Sequence, residues 1–234
     1  LASDLIMDLS AELGFHKSTT HRLVTSLQYM GYIRQDEESL KYALSLKFLE
    51  IGSKILEQTN MASLVHPSLK KLSEQTGETV HLVRREGTEA VYIDKVESTV
   101  SSIRMVSRVG SRIPLYCSGV GKAIMATLPD EEVKKIWNES IIEKKTDKTI
   151  TDFSQMQEVL EEVRQNGYAL DDEENEKGVR CIAACLHGYQ KEVKYAFSIS
   201  GPTSRMTRER VKELAVDVKK VQEELSRELG YYKS

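Results

Sequence analysis

The sequence predicts an α+β chain in two parts: a small winged helix-turn-helix, then a larger domain built on an antiparallel sheet. Three observations predict it. Residues 7–44 hold two short helical patterns joined by a tight turn, followed by a hairpin pattern. From Thr79 onward, stretches of apolar-polar alternation are interspersed with helical patterns. Near the end, Val211, Leu214, Val218, Val221, Leu225 and Leu229 fall on one stripe, as a long helix packed on a sheet requires. Helices set against an antiparallel sheet are the layers of the α+β class.

The elements follow in chain order. Residues 7–13 form a short helical pattern that stops at Gly14, and Phe15, His16 and Lys17 make the turn. Ser18, Thr19 and Thr20 are residues that cap helices, and Leu23, Val24 and Leu27 then share one helical face up to Gly31. Two helices joined by such a turn are the DNA-binding signature, with the second helix entering the major groove. Residues 32–34 and 40–44 read as a hairpin whose acidic turn is the wing. Residues 46–58 are amphipathic and suit a linker helix. A helix over 64–75 is expected to open at His66-Pro67 and stop at Gly77. Strands are expected at 80–84, 90–93 and 102–106, helices at 119–126, 130–137 and 152–166, strands at 181–187 and 193–200, and the final helix at 207–229. The expected divisions are 1–45, 46–60 and 61–234.

Composition narrows the function classes. The chain has 234 residues, 40% hydrophobic and 29% charged, which is ordinary for a globular protein. No apolar run of about 18 residues predicts a membrane helix, and no secretory signal is visible. Cys117, Cys181 and Cys185 are an odd number, which suits reduced thiols and a cytoplasmic location. The net charge of −3 excludes a generally basic nucleic-acid binder. Basic charge is instead local: residues 13–35 carry Lys17, Arg22 and Arg34 with His16 and His21 and no acid, as one face against phosphate requires. The chain starts at Leu1 with no room before Ser3 for the first helix of a winged helix-turn-helix, so that helix is expected upstream of it.

The second domain carries several residues with candidate chemistry. Gly119-Val120-Gly121-Lys122 lacks the residues of a phosphate-binding loop. Behind Ser118 and ahead of a helix it suits either an anion at exposed N–H groups or close packing of helix on sheet. Alternation puts Cys181, Ala183, Cys185 and His187 on one strand face, and Ala196, Ser198 and Ser200 on one face of the partner strand. Asp171 is expected in an acidic loop just before. A carboxylate, two hydroxyls and a thiol would form a polar end for a small hydroxylated acid; the alternative is that the serines bond only to backbone. A zinc site from Cys181, Cys185 and His187 is disfavoured, because an i, i+4 spacing on a strand spans ~13 Å. No metal ligand set is assigned. Cys181 as a nucleophile lacks an evident basic partner, and His81 and Asp94 show no partner in the sequence.

The chain resembles the IclR family of bacterial regulators over nearly its whole length. The resemblance is carried by residues 17–23 (KSTTHRL), Gly31-Tyr32, residues 41–44 (KYAL), residues 118–123 (SGVGKA), residues 178–183 (GVRCIA) and residues 198–202 (SISGP). Residues 103–116, 148–151 and 173–176 are similar to the 2-keto-3-deoxygluconate regulators of pectin catabolism within it. The resemblance implies a winged helix-turn-helix, a linker helix and a GAF-like effector domain, assembled as a homodimer or dimer of dimers on operator DNA. It implies no catalysis and no cofactor. It implies an effector pocket at Met105, Ile113, Gly119, Val120, Asp171, Cys181, Ser198 and Ser200. Cys185 stands where the family usually has proline. For DNA, Ser18, Thr19, Thr20 and Arg22 open the recognition helix, with Arg22 placed to read guanine, while Lys17, Arg34, Lys41 and Tyr42 position backbone and wing. The expected function is repression relieved by a small carboxylic acid, with 2-keto-3-deoxygluconate foremost. The alternatives are an activator with another organic acid, a stand-alone binding module, or an enzyme acting through Cys181.

Overall fold

The computed structural model describes residues 6–36, 38–58, 60–98, 107–189 and 193–231, without the side chains of 53–58. The chain forms two compact units, Leu1–Asn60 and Met61–Ser234.

In the first unit, α1 (Ile6–Leu13) ends at Gly14 and α2 (Lys17–Tyr29) ends before Gly31. Both glycines hold positive φ, +66° and +76°, which only glycine adopts without strain. Helix α2 starts one residue before the expected cap residues. Its N-cap is His16, which makes no side-chain capping bond, so Ser18 lies inside the first turn. Strands β1 (Ile33–Gln35) and β2 (Tyr42–Leu44) pair antiparallel, Ile33 opposite Leu44 and Gln35 opposite Tyr42. The wing turn is held by Asp36, whose Oδ1 accepts from Ser39 N at 2.8 Å. Helix α3 (Lys47–Gln58) packs back on the turn after α2: Lys47 Nζ lies 4.8 Å from the Tyr32 ring centre, and Phe48 is 5.4 Å from the same ring.

The second unit begins with α4 (Met61–Thr76). This corrects the expected opening at His66-Pro67, because Pro67 lies inside the helix. Val65, Leu69 and Leu72 are almost wholly buried on either side of it, and each such side chain contributes ~1.5–3 kcal/mol. That burial exceeds a local preference for a break. Strands β3 (Thr79–Glu86), β4 (Glu89–Val96), β5 (Arg112–Pro114), β6 (Ala169–Asp172), β7 (Val179–Leu186) and β8 (Tyr195–Pro202) form one sheet in the order β5-β4-β3-β8-β7-β6. Every neighbouring pair is antiparallel. Strands β5 and β6 are short edge strands that the sequence pattern did not mark. The strand expected at 102–106 lies outside the described residues.

Helices cover both faces. Helix α4 and α8 (Arg208–Glu228) pack on the face that bears Leu82, Ile182, Phe197 and Ile199. Helices α5 (Gly119–Met125), α6 (Asp130–Glu139) and α7 (Phe153–Asn166) share a second core with Val83, Ala169, Ala183 and Ala196. The alanines on that face let α5 approach closely: a Cβ on Gly119 would stand 3.3 Å from Ala183 Cβ. Asp152 caps α7 and Gly167 ends it in the left-handed region, as expected. Among the described residues no helix is long and apolar enough to cross a membrane.

Candidate functional site

The register of the sheet gathers the polar residues. Asp171 on β6 is opposite Cys181 on β7, Cys181 is opposite Ser200 on β8, and Ser200 is opposite Thr79 on β3. The next row is Ala169, Ala183, Ser198, His81 and Lys95. Asp171 is therefore in an edge strand and not in the expected loop. Two adjacent aspartates disfavour a strand locally, and the pairing with β7 overrides this. Asp171, Ser198 and Ser200 are all buried, at 3%, 4% and 2% exposure.

The serines find side-chain partners. Ser198 Oγ lies 3.3 Å from Ser200 Oγ, and Ser200 Oγ lies 3.3 Å from His81 Nδ1. His81 Nε2 lies 2.7 Å from Ser107 Oγ, and the imidazole lies 5.0 Å from the Tyr92 ring. His81 was without an evident partner in the sequence, because its partners come from distant parts of the chain. Asp94, likewise, meets His66 Nδ1 at 2.7 Å. Asp171 Oδ1 accepts from Glu174 N at 2.8 Å and Asn175 N at 3.4 Å. Beyond Asp171, Lys122 of α5 and Glu174 form a buried ion pair, and Cys117 Sγ reaches Asn175 Oδ1 at 3.6 Å.

Burial sets the protonation states. It raises Asp171 to about 7, with Lys122 opposing and Glu174 reinforcing. It drives His81 down to about 3, assisted by the Lys95 ammonium. The Cys181 thiol is pushed far up by burial and by the nearby Asp171, and Cys117 up to about 12 by burial. The cluster thus presents hydroxyls, a neutral imidazole, protonated thiols and a carboxyl that titrates near neutrality.

The other expected pocket residues divide. Ile113 and Val120 belong to the same buried core, and Gly119 lies over the sheet beside Asp171 N and Ala183. Met105 lies outside the described residues. At the start of α5, Ser118 Oγ accepts from Gly121 N at 3.1 Å and donates to Pro114 O at 2.7 Å. Gly121 is held there by space, since a Cβ would overlap the Leu115 backbone. Close packing, one of the two readings of this motif, is thus what Gly121 does. Cys185 Sγ lies 3.4 Å from His187 Nε2, in keeping with the shared face that alternation gave them, although β7 itself ends at Leu186. No group of three or more His, Cys, Asp or Glu among the described residues could hold a metal ion.

In the first unit, Lys17, Ser18, Thr19, Arg22, Arg34 and Lys41 are exposed. Neither Lys17 nor Arg22 takes an acidic partner among the described residues. Thr20 departs from the expected role: it is 1% exposed and faces inward, with its hydroxyl 3.4 Å from His16 O, so its side chain is not presented on the exposed face of α2. A cap residue in the first turn points inward when it falls on the same helical face as a core position, here Val24. Tyr42 is also buried, and its expected role narrows to supporting the wing.

A winged helix-turn-helix joined to a sheet domain with a buried polar cluster defines a DNA-binding regulator. A profile described as "Bacterial transcriptional regulator IclR C-terminal" matches residues 53–227, and "IclR helix-turn-helix domain" matches residues 4–37. The chain belongs to the IclR family of bacterial transcriptional regulators. It is 37% identical to the transcriptional repressor IclR of Escherichia coli, over 96% of this chain and 82% of that protein. It is 35% identical to the E. coli regulator KdgR, over 97% and 86%. The crystal structure of Thermotoga maritima IclR superposes with a TM-score of 0.71 at 33% identity, covering 99% of this chain and 92% of that one. The C-terminal domain of E. coli KdgR superposes with 0.65 at 33% identity, covering 73% and 98%.

Proposed function

We propose that this IclR-type repressor is controlled by a small carboxylic acid held at Ile113, Gly119, Val120, Asp171, Cys181, Ser198 and Ser200, with 2-keto-3-deoxygluconate the first acid to test. The observation that carries the reading is the continuous polar row Asp171, Cys181, Ser200 across three neighbouring strands of the sheet. Buried hydroxyls and a protonatable carboxyl supply donors to a carboxylate and to hydroxyls. The choice among acids rests on the similarity of residues 103–116 and 148–151 to the 2-keto-3-deoxygluconate regulators, and on KdgR as a relative. IclR of E. coli and the acetate operon repressor of Salmonella typhimurium, 37% and 36% identical, favour another small acid as the second reading. A protonated Cys181 thiol is a poor nucleophile, which supports a binding role over turnover.

In this reading residues 1–45 bind operator DNA and residues 61–234 bind the acid. Residues 46–60 link them, and the assembly is a homodimer or dimer of dimers in the cytoplasm. Helix α2 lies in the major groove. Its N-terminus has no side-chain cap, so its first N–H groups face phosphate beside Lys17, Ser18 and Thr19. Two such helices in a dimer fall ~34 Å apart on one face of DNA. The acid shifts the spacing through the linker with a coupling of ~1–3 kcal/mol.

The test is a titration with 2-keto-3-deoxygluconate that follows melting temperature and release from operator DNA together. Stabilisation with release is the expected result. Retained DNA binding with no response to this acid moves the assignment to the other small 2-oxo acids. The absence of salt-dependent DNA binding overturns the regulator reading itself.

A further inference from the structure

We infer that His81 is a positioning residue of the effector site, whose Nδ1–H tautomer turns the Ser200 hydroxyl outward as a hydrogen-bond donor to the acid. The inference rests on the proposed acid-binding role of Ser198 and Ser200, and adds a residue that role does not include.

His81 on β3 is 2% exposed and stands opposite Ser198 in the sheet. Both ring nitrogens have hydroxyl partners: Nε2 meets Ser107 Oγ at 2.7 Å and Nδ1 meets Ser200 Oγ at 3.3 Å. Ser107 is held a second time, because Lys95 Nζ donates to its carbonyl at 2.8 Å. Lys95 is directly opposite His81 across β3 and β4, and its ammonium together with burial keeps the imidazole neutral.

A neutral imidazole has one donor and one acceptor. The shorter contact, to Ser107, suits a hydroxyl donating into Nε2. The proton then sits on Nδ1, which donates to Ser200 Oγ. Ser200 has two lone pairs: it accepts from His81 on one and from the Ser198 hydroxyl, 3.3 Å away, on the other, and so keeps its own hydrogen for a ligand. In the opposite tautomer Ser200 spends that hydrogen on Nδ1, and only lone pairs face an anionic carboxylate. The choice of tautomer therefore decides whether Ser200 attracts or repels an acid. The nearby Lys122 does not substitute as a cation, because it is engaged with Glu174.

The first arm of the test needs no ligand. Long-range ¹H–¹⁵N spectra of the histidine-labelled chain, with His81 assigned through His81→Asn, report the tautomer between about pH 6 and 8. A neutral Nδ1–H ring is expected, moving toward a tautomer mixture in Ser107→Ala. A Nε2–H ring, or an imidazolium at the lower pH, overturns the inference.

The second arm measures dissociation constants for 2-keto-3-deoxygluconate, and for pyruvate as a minimal 2-oxo acid. Ser200→Ala and His81→Leu are each expected to weaken binding about tenfold or more, and the double variant no further, since one interaction is lost in each case. His81→Asn, whose amide N–H stands near the Nδ1 position, is expected to keep most of the affinity. Unchanged binding by His81→Leu, or losses that add in the double variant, overturn the inference. If Ser200→Ala binds as tightly as the unmodified chain, or if neither acid binds, the acid-site reading falls and the tautomer spectrum still decides what His81 does. Should His81→Leu fail to fold, His81→Asn and the spectrum carry the test.

Discussion

Lys122 of α5 and Glu174, two residues past the end of β6, form an ion pair in the interior of the sheet domain, with 2% and 9% of their side chains exposed. The second Glu174 oxygen, Oε2, is buried without a hydrogen-bond partner among the described residues. The pair ties the first turn of α5 to the segment that follows Asp171. Lys122→Met strands the carboxylate and is expected to cost about 3–5 kcal/mol, while Lys122→Met with Glu174→Leu recovers most of it. Urea unfolding of both variants checks this. A single variant as stable as the parent would remove the pair from the list of what holds the site together.

Asp171 makes stability depend on pH in an unusual direction. Its carboxyl is raised by burial from 3.8 to about 7. Between those values the folded chain holds a proton that the unfolded chain has released, so this group's contribution falls as pH rises through that window. Asp171→Asn is expected to flatten the loss. Denaturation midpoints measured from pH 5 to pH 8, spanning the raised value of about 7, decide it: parallel curves for parent and variant would contradict the assignment.

Gly119 and Gly121 are predicted to differ. A Cβ at Gly121 overlaps the Leu115 backbone, whereas at Gly119 it meets the Ala183 methyl at 3.3 Å. Gly121→Ala is expected to destabilise by ~1–3 kcal/mol or to prevent folding. Gly119→Ala should fold and weaken acid binding, because it projects onto Asp171. Thermal melts and acid titration of the pair separate packing from recognition.

On α2 the exposed and buried residues should separate cleanly. Arg22→Ala is expected to weaken operator binding by ~1–3 kcal/mol and leave acid affinity unchanged. Lys17→Ala should reduce the salt dependence of binding by about one phosphate contact. Thr20→Ala should lower the melting temperature without altering that slope, since Thr20 is 1% exposed. Fluorescence anisotropy over a salt series measures all three, and normal operator binding by Arg22→Ala would refute the placement of the recognition helix.

Much of this architecture was legible in the chain itself. Gly14, Gly31 and Gly167 end α1, α2 and α7 through their own backbone freedom, and period-2 alternation identified β7 and β8 with the correct face for Cys181, Ser198 and Ser200. Such features are local: a few consecutive residues contain the whole cause. Strand β6 was not legible, because its aspartates oppose the conformation that β7 imposes on them. Pro67 misled for the same reason, its local preference outweighed by Val65, Leu69 and Leu72 in the core. His81 illustrates the limit most sharply. Its ring bonds residues 26 and 119 positions away, and no window of sequence contains those distances. By itself the sequence determined which residues turn, cap and alternate, since those choices are made by each residue and its neighbours. Only the tertiary structure decided which polar groups meet, because strand order and register are set by burial summed over the whole sheet.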